Sequence, residues 1–302
     1  MLTSVYYIGQ AEYKRVRQDI SRATHNHLER GDVWSAGYSR LIYATTFYGE
    51  GDYDTATRLM EEILQIANEK RILQQGVFAY TWLARIRMVR GDTADAQHKI
   101  EHALTLLQEM QSNDQSVVDP WALAALIFFH NAAYGAAYEA AEKAMQLATH
   151  NKTSGQWGKH AFPAVIHVYL GLRDHVEAVP VDAATLLQKA KAALRSLHTL
   201  PDTMAKIFSY HVQGAIAYAE GKPRAAYAAW EKGVNDAHKR QMPLEEALCH
   251  QALGRALPEG HPQKQKHVQA AVDIFTRLKA NLYLTEHARS VSTQGDEKIV
   301  QR

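Results

Sequence analysis

Two stretches decide the fold: GEGDYDTATRLMEEIL, residues 49–64, and RGDTADAQHKIEHAL, residues 90–104. Laying Gly51-Asp52 on Gly91-Asp92 puts Ala56 on Ala96, Met60 on Ile100 and Ile63 on Ala103, an offset of 40 residues. A further step back sets Gly9 against Gly49 and Tyr13 against Tyr53. The triplet spacing i, i+4, i+7 is one stripe of an α-helix. Further copies read Val16-Ile20-Ala23, Ala137-Ala141-Ala144, Ala183-Leu187-Ala190, Ala226-Trp230-Gly233 and Lys264-Val268-Ala271. Small residues at the ends of a triplet let a helix approach its neighbour closely, and the larger middle residue fills the gap beside them.

A second helix lies between successive stripes, with the small-residue column Ala44, Ala84, Gly214 and Gly254. The turns between the two are Gly51-Asp52, Gly91-Asp92 and Gly221-Lys222-Pro223. Glycine ends a helix in the left-handed conformation, aspartate caps the next one, and proline suits a first turn. Each unit is therefore helix–turn–helix, and stacked neighbours bury the face that a lone pair leaves open. No segment sustains the two-residue alternation of a strand. The expected architecture is all-α: a right-handed α-solenoid of about seven units in one domain over 1–290. The units fall near 1–30, 32–70, 73–111, 120–150, 160–198, 202–240 and 243–279, followed by a terminal helix 280–290 and a polar tail 291–302. Gln111 to Pro120, His150 to His160 and Arg173 to Asp182 read as longer connections. At offset 40, Tyr7 and Ile8 meet Phe47 and Tyr48, so the chain is expected to begin inside a first helix. That suggests a piece of a longer protein, or a further surface over Val5 to Ile8.

Composition bounds the function. The chain has 302 residues, 46% hydrophobic and 22% charged, with a net charge of +2 from 34 basic and 32 acidic side chains. That balance lacks the basic footprint of a dedicated nucleic-acid binder. No apolar run reaches the roughly 20 residues of a membrane span. The single cysteine, Cys249, excludes an internal disulfide and a cysteine-built metal cage. Together with an N-terminus unlike a signal peptide, it points to the cytoplasm.

The small–apolar–small helices after a Gly-Asp turn resemble tetratricopeptide repeats, across most of 1–290. The departures are a period near 40 rather than 34 and polar residues, Arg40 and Arg87, where packing residues are expected. Longer, degenerate repeats of this kind resemble the helical arms of large bacterial signalling ATPases and ATP-dependent transcription regulators. The stretch ALGRALPEGHPQKQKHVQAAVDIFTRLKANLYLTEHAR, residues 252–289, is especially similar to the ends of such arms. The resemblance implies a sensor or partner-binding part; no phosphate-binding loop of the Gly-x-x-x-x-Gly-Lys-Ser/Thr form is present.

In tetratricopeptide-like arrays the first helices line the concave surface. That face reads Tyr38, Leu41, Thr45 and Tyr48, then Phe78, Thr81, Arg85 and Met88, then Phe208, His211, Ala215 and Tyr218. Aromatic residues with an arginine and a histidine suit a peptide-binding groove. The leading expectation is a non-enzymatic domain that binds a protein or peptide there, as the sensor or scaffold arm of a signalling protein, with no cofactor. A second reading is a small-molecule sensor with a closed pocket near Trp82, Trp121 or Trp157. A third is a metal-dependent hydrolase: His98, Glu101 and His102 spell H-x-x-E-H, and histidines four apart share a helix face. A fourth is self-assembly through an open repeat end. Cys249 and His250, adjacent on one helix, point about 100° apart and cannot act on each other as nucleophile and base. Lys14, Arg15, Arg17 and Arg22 form a short basic cluster that lacks the aromatic interleaving of single-strand binders.

Overall fold

A computed structural model describes residues 2–110, 118–150 and 158–288. It is an all-α solenoid with no β-strand among the described residues. The helices are α1 (Leu2–Gly9), α2 (Tyr13–Glu29), α3 (Val33–Glu50), α4 (Tyr53–Lys70), α5 (Leu73–Val89), α6 (Thr93–Met110), α7 (Val118–His130) and α8 (Tyr134–His150). They continue with α9 (Gly158–Gly171), α10 (Ala183–His198), α11 (Thr203–Ala219), α12 (Pro223–Lys239), α13 (Pro243–Ala256), α14 (Lys264–Leu278) and α15 (281–288).

The turns form as the residues dictate. Gly51, Gly91 and Gly221 adopt φ of 85°, 87° and 73°. Asp32, Asp52 and Asp92 accept from the backbone N–H of Ser35, Thr55 and Asp95 at 3.0–3.1 Å, capping α3, α4 and α6. The Val16, Ala56, Ala96, Ala137 and Ala226 positions are fully buried. Two stripes depart from the expected register, by about one turn in α10 and two turns in α14. In α10 the buried set is Leu186, Ala190, Ala193 and Leu197, because Asp182 caps the helix onto Thr185 and leaves Ala183 in the first turn. In α14 the buried set is Ala271, Phe275 and Leu278, with Lys264 opening the helix. Pro120 and His160 lie inside the starts of α7 and α9 rather than in connections, where a proline fits because first-turn N–H groups have no helical partner. The Arg173 to Asp182 connection holds two short 3₁₀ turns, Leu172–Asp174 and Val176–Ala178. The tail 291–302 and most of the two other long connections lie outside the described residues.

Each helix packs on its sequence neighbours, and the odd-numbered helices α3 to α13 pack in succession along one inner wall. The chain then meets itself. Helix α1 packs on α11, and α3 packs on α13. Gln10 accepts from Thr203 Oγ1 at 2.5 Å, and Asp54 pairs with Lys279 at 3.3 Å. Leu278 and Pro243 press on Gly51, and Asn281 presses on Gly91. In every case a unit touches the unit five further on. The superhelix thus turns once in about five units, and its second turn seats on its first. One apolar cluster joins both turns, taking Tyr48, Tyr53, Met60 and Trp82 from the first and Leu244, Phe275 and Leu278 from the second.

Candidate functional site: a chamber on the superhelix axis

Tight winding narrows the concave face to a partly open chamber. The inner wall surrounds a chamber of about 530 Å³, bordered by α3, α5, α7, α9, α11, α13 and α15. Six of the expected groove residues line it: Tyr48, Arg85, Met88, Phe208, His211 and Tyr218, with Ala215 beside them. Thr45 faces a neighbouring cavity of about 40 Å³. Tyr38 and the buried Leu41 and Phe78 pack between units in the apolar cluster, where successive first helices press together. Thr81 is buried and donates to the Val77 carbonyl at 2.7 Å, which satisfies its hydroxyl within α5.

The chamber wall contains polar groups beyond those expected from the sequence. His130, His160 and His167 join His211. Burial pushes His130 and His211 down to about 3 and His167 to about 4, so all three are neutral near pH 7. His160 is likewise held well below its ordinary value, by burial and then by the Arg85 and Lys159 charges. His130 Nδ1 stands 3.3 Å from Glu286 Oε1. Glu245, from α13, is pushed up to about 7 by burial, against the pull of its own backbone and Arg85.

Three arginines line the same wall: Arg85 from α5, Arg173 after α9 and Arg255 from α13. Arg85 donates through Nη2 to Asp119 Oδ1 at 2.6 Å, and only 7% and 9% of these side chains are exposed. Burial opposes the Arg85 charge, but Asp119 outweighs it and holds the guanidinium protonated. The Nε atoms of Arg85 and Arg173 are buried with no hydrogen-bond partner among the described residues. Burial lowers Arg255, and Glu286 partly restores it. A buried unpaired donor costs roughly 1–3 kcal/mol, so these two Nε atoms weaken the fold locally, and what the chamber meets is the rest of each arginine.

Glycine shapes the wall at one place. A Cβ on Gly214 would collide with the Trp230 indole, whose Nε1 donates to the His211 carbonyl at 2.9 Å. The missing side chain lets Trp230 reach the chamber from α12. An aromatic series closes the other side: Phe208 on His160 at 4.9 Å, His160 on Trp82 at 5.2 Å, Trp82 on Tyr48 at 5.1 Å.

The remaining sequence candidates lie elsewhere. His98 and His102 meet Nε2 to Nε2 at 3.2 Å on an exposed helix face, and His102 stacks on Tyr80. No group of three or more His, Cys, Asp or Glu able to hold a metal occurs among the described residues. Trp82 lines the small cavity, Trp121 packs against the core and Trp157 lies outside the described residues. Cys249 is buried where α12 and α13 cross, its Sγ against Gly233, and burial pushes its thiol up. Arg17 pairs with Glu50 at 2.9 Å and Arg15 lies 3.8 Å over the Tyr7 ring.

No protein-family model and no curated protein sequence matches the chain. Among solved structures, "BtubC (BKLC) from P. vanneervenii" aligns with 76% of this chain and 91% of its own length, at 19% identity and a TM-score of 0.44. None of the described helices is long and apolar enough to cross a membrane.

His130, His160, His167, Arg173, Glu245, Arg255, Tyr283 and Glu286 were not among the sequence candidates. Extending the His211 face back through α9 and α7 would have reached His167 and His130. Their unequal spacings follow from the long connections between those units.

Proposed function

We propose that this chain is a non-enzymatic effector-binding α-solenoid whose ligand is a small molecule held in the axial chamber. The observation that carries the reading is the contact of each unit with the unit five further on. It narrows the concave groove to a partly open volume of about 530 Å³, within the range of small-molecule sites. The walls have the usual makeup of such sites, mostly apolar with a few convergent polar groups. The resemblance of the repeats to the arms of signalling ATPases and transcription regulators supplies a context: a cytoplasmic sensor arm in which occupancy of the axis fixes the winding of the superhelix, and a partner module reads the winding.

The test blocks the chamber without touching its polar groups. Ala252 lines it from α13. A metabolite library is screened by thermal shift against the wild-type chain and Ala252→Trp. At least one compound should stabilise the wild type and leave Ala252→Trp unmoved. A library without any stabiliser, or one whose stabilisers act equally on both proteins, overturns the reading.

A further inference from the structure

The chamber's arginine lining identifies the class of its ligand; this step rests on the effector reading above. Arg85, Arg173 and Arg255 reach the wall from three separate units. Arg85 and Arg173 each keep a buried Nε–H without an acceptor. Arg173 and Arg255 make no ion pair within 4 Å among the described residues, although Glu286 lies near enough to act on Arg255. Against these cations stand three carboxylates: Asp119, which balances Arg85, and Glu245 and Glu286 in the lining. Glu286 is already engaged with His130. Glu245 is half protonated near neutrality because it is buried. The four histidines add neutral N–H groups rather than competing anions. The lining is therefore net positive and rich in donors.

We infer that the chamber binds an oxyanion, a carboxylate- or phosphate-bearing metabolite, through Arg85, Arg173 and Arg255. A guanidinium presents N–H groups in a planar fork that matches a carboxylate or phosphate, and it stays charged inside a protein. A cation would face three arginines, and a neutral ligand would leave Arg173 and Arg255 without a paired counter-charge. The aromatic series from Phe208 to Tyr48 supplies the apolar side of the pocket for the rest of such a metabolite.

The experiment titrates the full chain with citrate, pyrophosphate and inorganic phosphate at constant ionic strength, with sodium chloride as reference, by calorimetry and thermal shift. The variants are Arg173→Gln and Arg255→Gln, with Arg58→Gln as control, since Arg58 is exposed and pairs with Glu62 away from the chamber. A parallel arm uses the uncharged dye N-phenyl-1-naphthylamine with and without Ala252→Trp. The expected result is saturable binding of citrate or pyrophosphate, weakened about tenfold or more by either chamber variant, as loss of a charged hydrogen bond implies, and unchanged by Arg58→Gln. Citrate against the phosphates tells which oxyanion the forks prefer. If the dye binds in a manner blocked by Ala252→Trp but no oxyanion binds beyond the chloride reference, the chamber reading stands and the oxyanion inference falls. If neither binds, both fall. Oxyanion binding that is equal in wild type, Arg173→Gln and Arg255→Gln also overturns the inference, because those arginines then hold nothing.

Discussion

Arg85 and Asp119 join α5 to α7 through a 2.6 Å hydrogen bond between two side chains that are both more than nine-tenths buried. The bond ties two inner-wall helices together beside the chamber, and the guanidinium's Nε is buried without a hydrogen-bond partner among the described residues. Removing one partner leaves an uncompensated charge where water does not reach. Asp119→Leu is therefore expected to cost about 3–5 kcal/mol. The double variant Arg85→Met/Asp119→Leu should recover most of that, since well-packed apolar pairs replace buried ion pairs with little loss. Urea denaturation of the three proteins measures it. A double variant as unstable as Asp119→Leu alone would show that the pair's hydrogen-bond geometry, rather than its charge balance, holds the step.

The seating of the second superhelical turn on the first can be isolated with two glycines. Gly51 and Gly221 both have positive φ, 85° and 73°. A Cβ on Gly221 meets nothing within 4 Å, whereas one on Gly51 runs into Leu278. Gly221→Ala should cost only backbone strain, about 1 kcal/mol. Gly51→Ala should cost that plus overpacking, about 3 kcal/mol in all. Equal effects in denaturant melts would mean that the two turns do not press together at this point.

The chamber histidines make stability fall with acid. His130, His167 and His211 have folded-state values of about 3, 4 and 3, below the ordinary 6.5. The unfolded chain therefore takes up their protons first. Their contribution is complete above about pH 6.5 and is lost as pH falls toward 4, by up to about 1.4 kcal/mol per pH unit for each group. Glu245 works the other way. Its folded value of about 7 lies above the ordinary 4.5, so its contribution is present at low pH and is lost as pH rises through 7. Three groups against one leave a net loss between about pH 6.5 and about pH 5. His211→Phe should flatten the stability profile over that interval, and an unchanged slope would place the proton uptake elsewhere.

The sequence made the local rules legible and left the global winding hidden. Gly51-Asp52 and Gly91-Asp92 announce their turns because left-handed φ and side-chain capping are properties of single residues. Ala56, Met60 and Ile63 announce their stripe because a helix repeats its face every three to four residues. The packing of α3 on α13 has no such signature. It accumulates from a small rotation at each interface, and a slightly different rotation gives an open groove instead. That is why Phe78 and Leu41 read as groove anchors while they pack between units. It is also why Glu245 and Arg255, seven units from the start, gave no hint of facing Tyr48 and Arg85 across the chamber.

A last prediction concerns the units that make their turns without glycine. Ala132 adopts φ of 59°, closing the link from α7 to α8, and its N–H donates to the Phe129 carbonyl at 3.0 Å. The left-handed conformation brings an L-residue's Cβ toward the following carbonyl, at roughly 1 kcal/mol. Glycine removes that crowding but gains freedom in the unfolded chain, which returns part of the benefit. Ala132→Gly should therefore raise stability by about 0.5 kcal/mol, the reverse of what glycine does inside a helix. The internal control is Ala137→Gly, five residues on in α8, where the alanine is fully buried in the stripe. That change should lower stability by about 1 kcal/mol or more. Opposite signs from two alanine-to-glycine changes in adjoining turns of chain, read from paired urea melts, would confirm that the Ala132 turn stores strain; two losses would show that its backbone is relaxed.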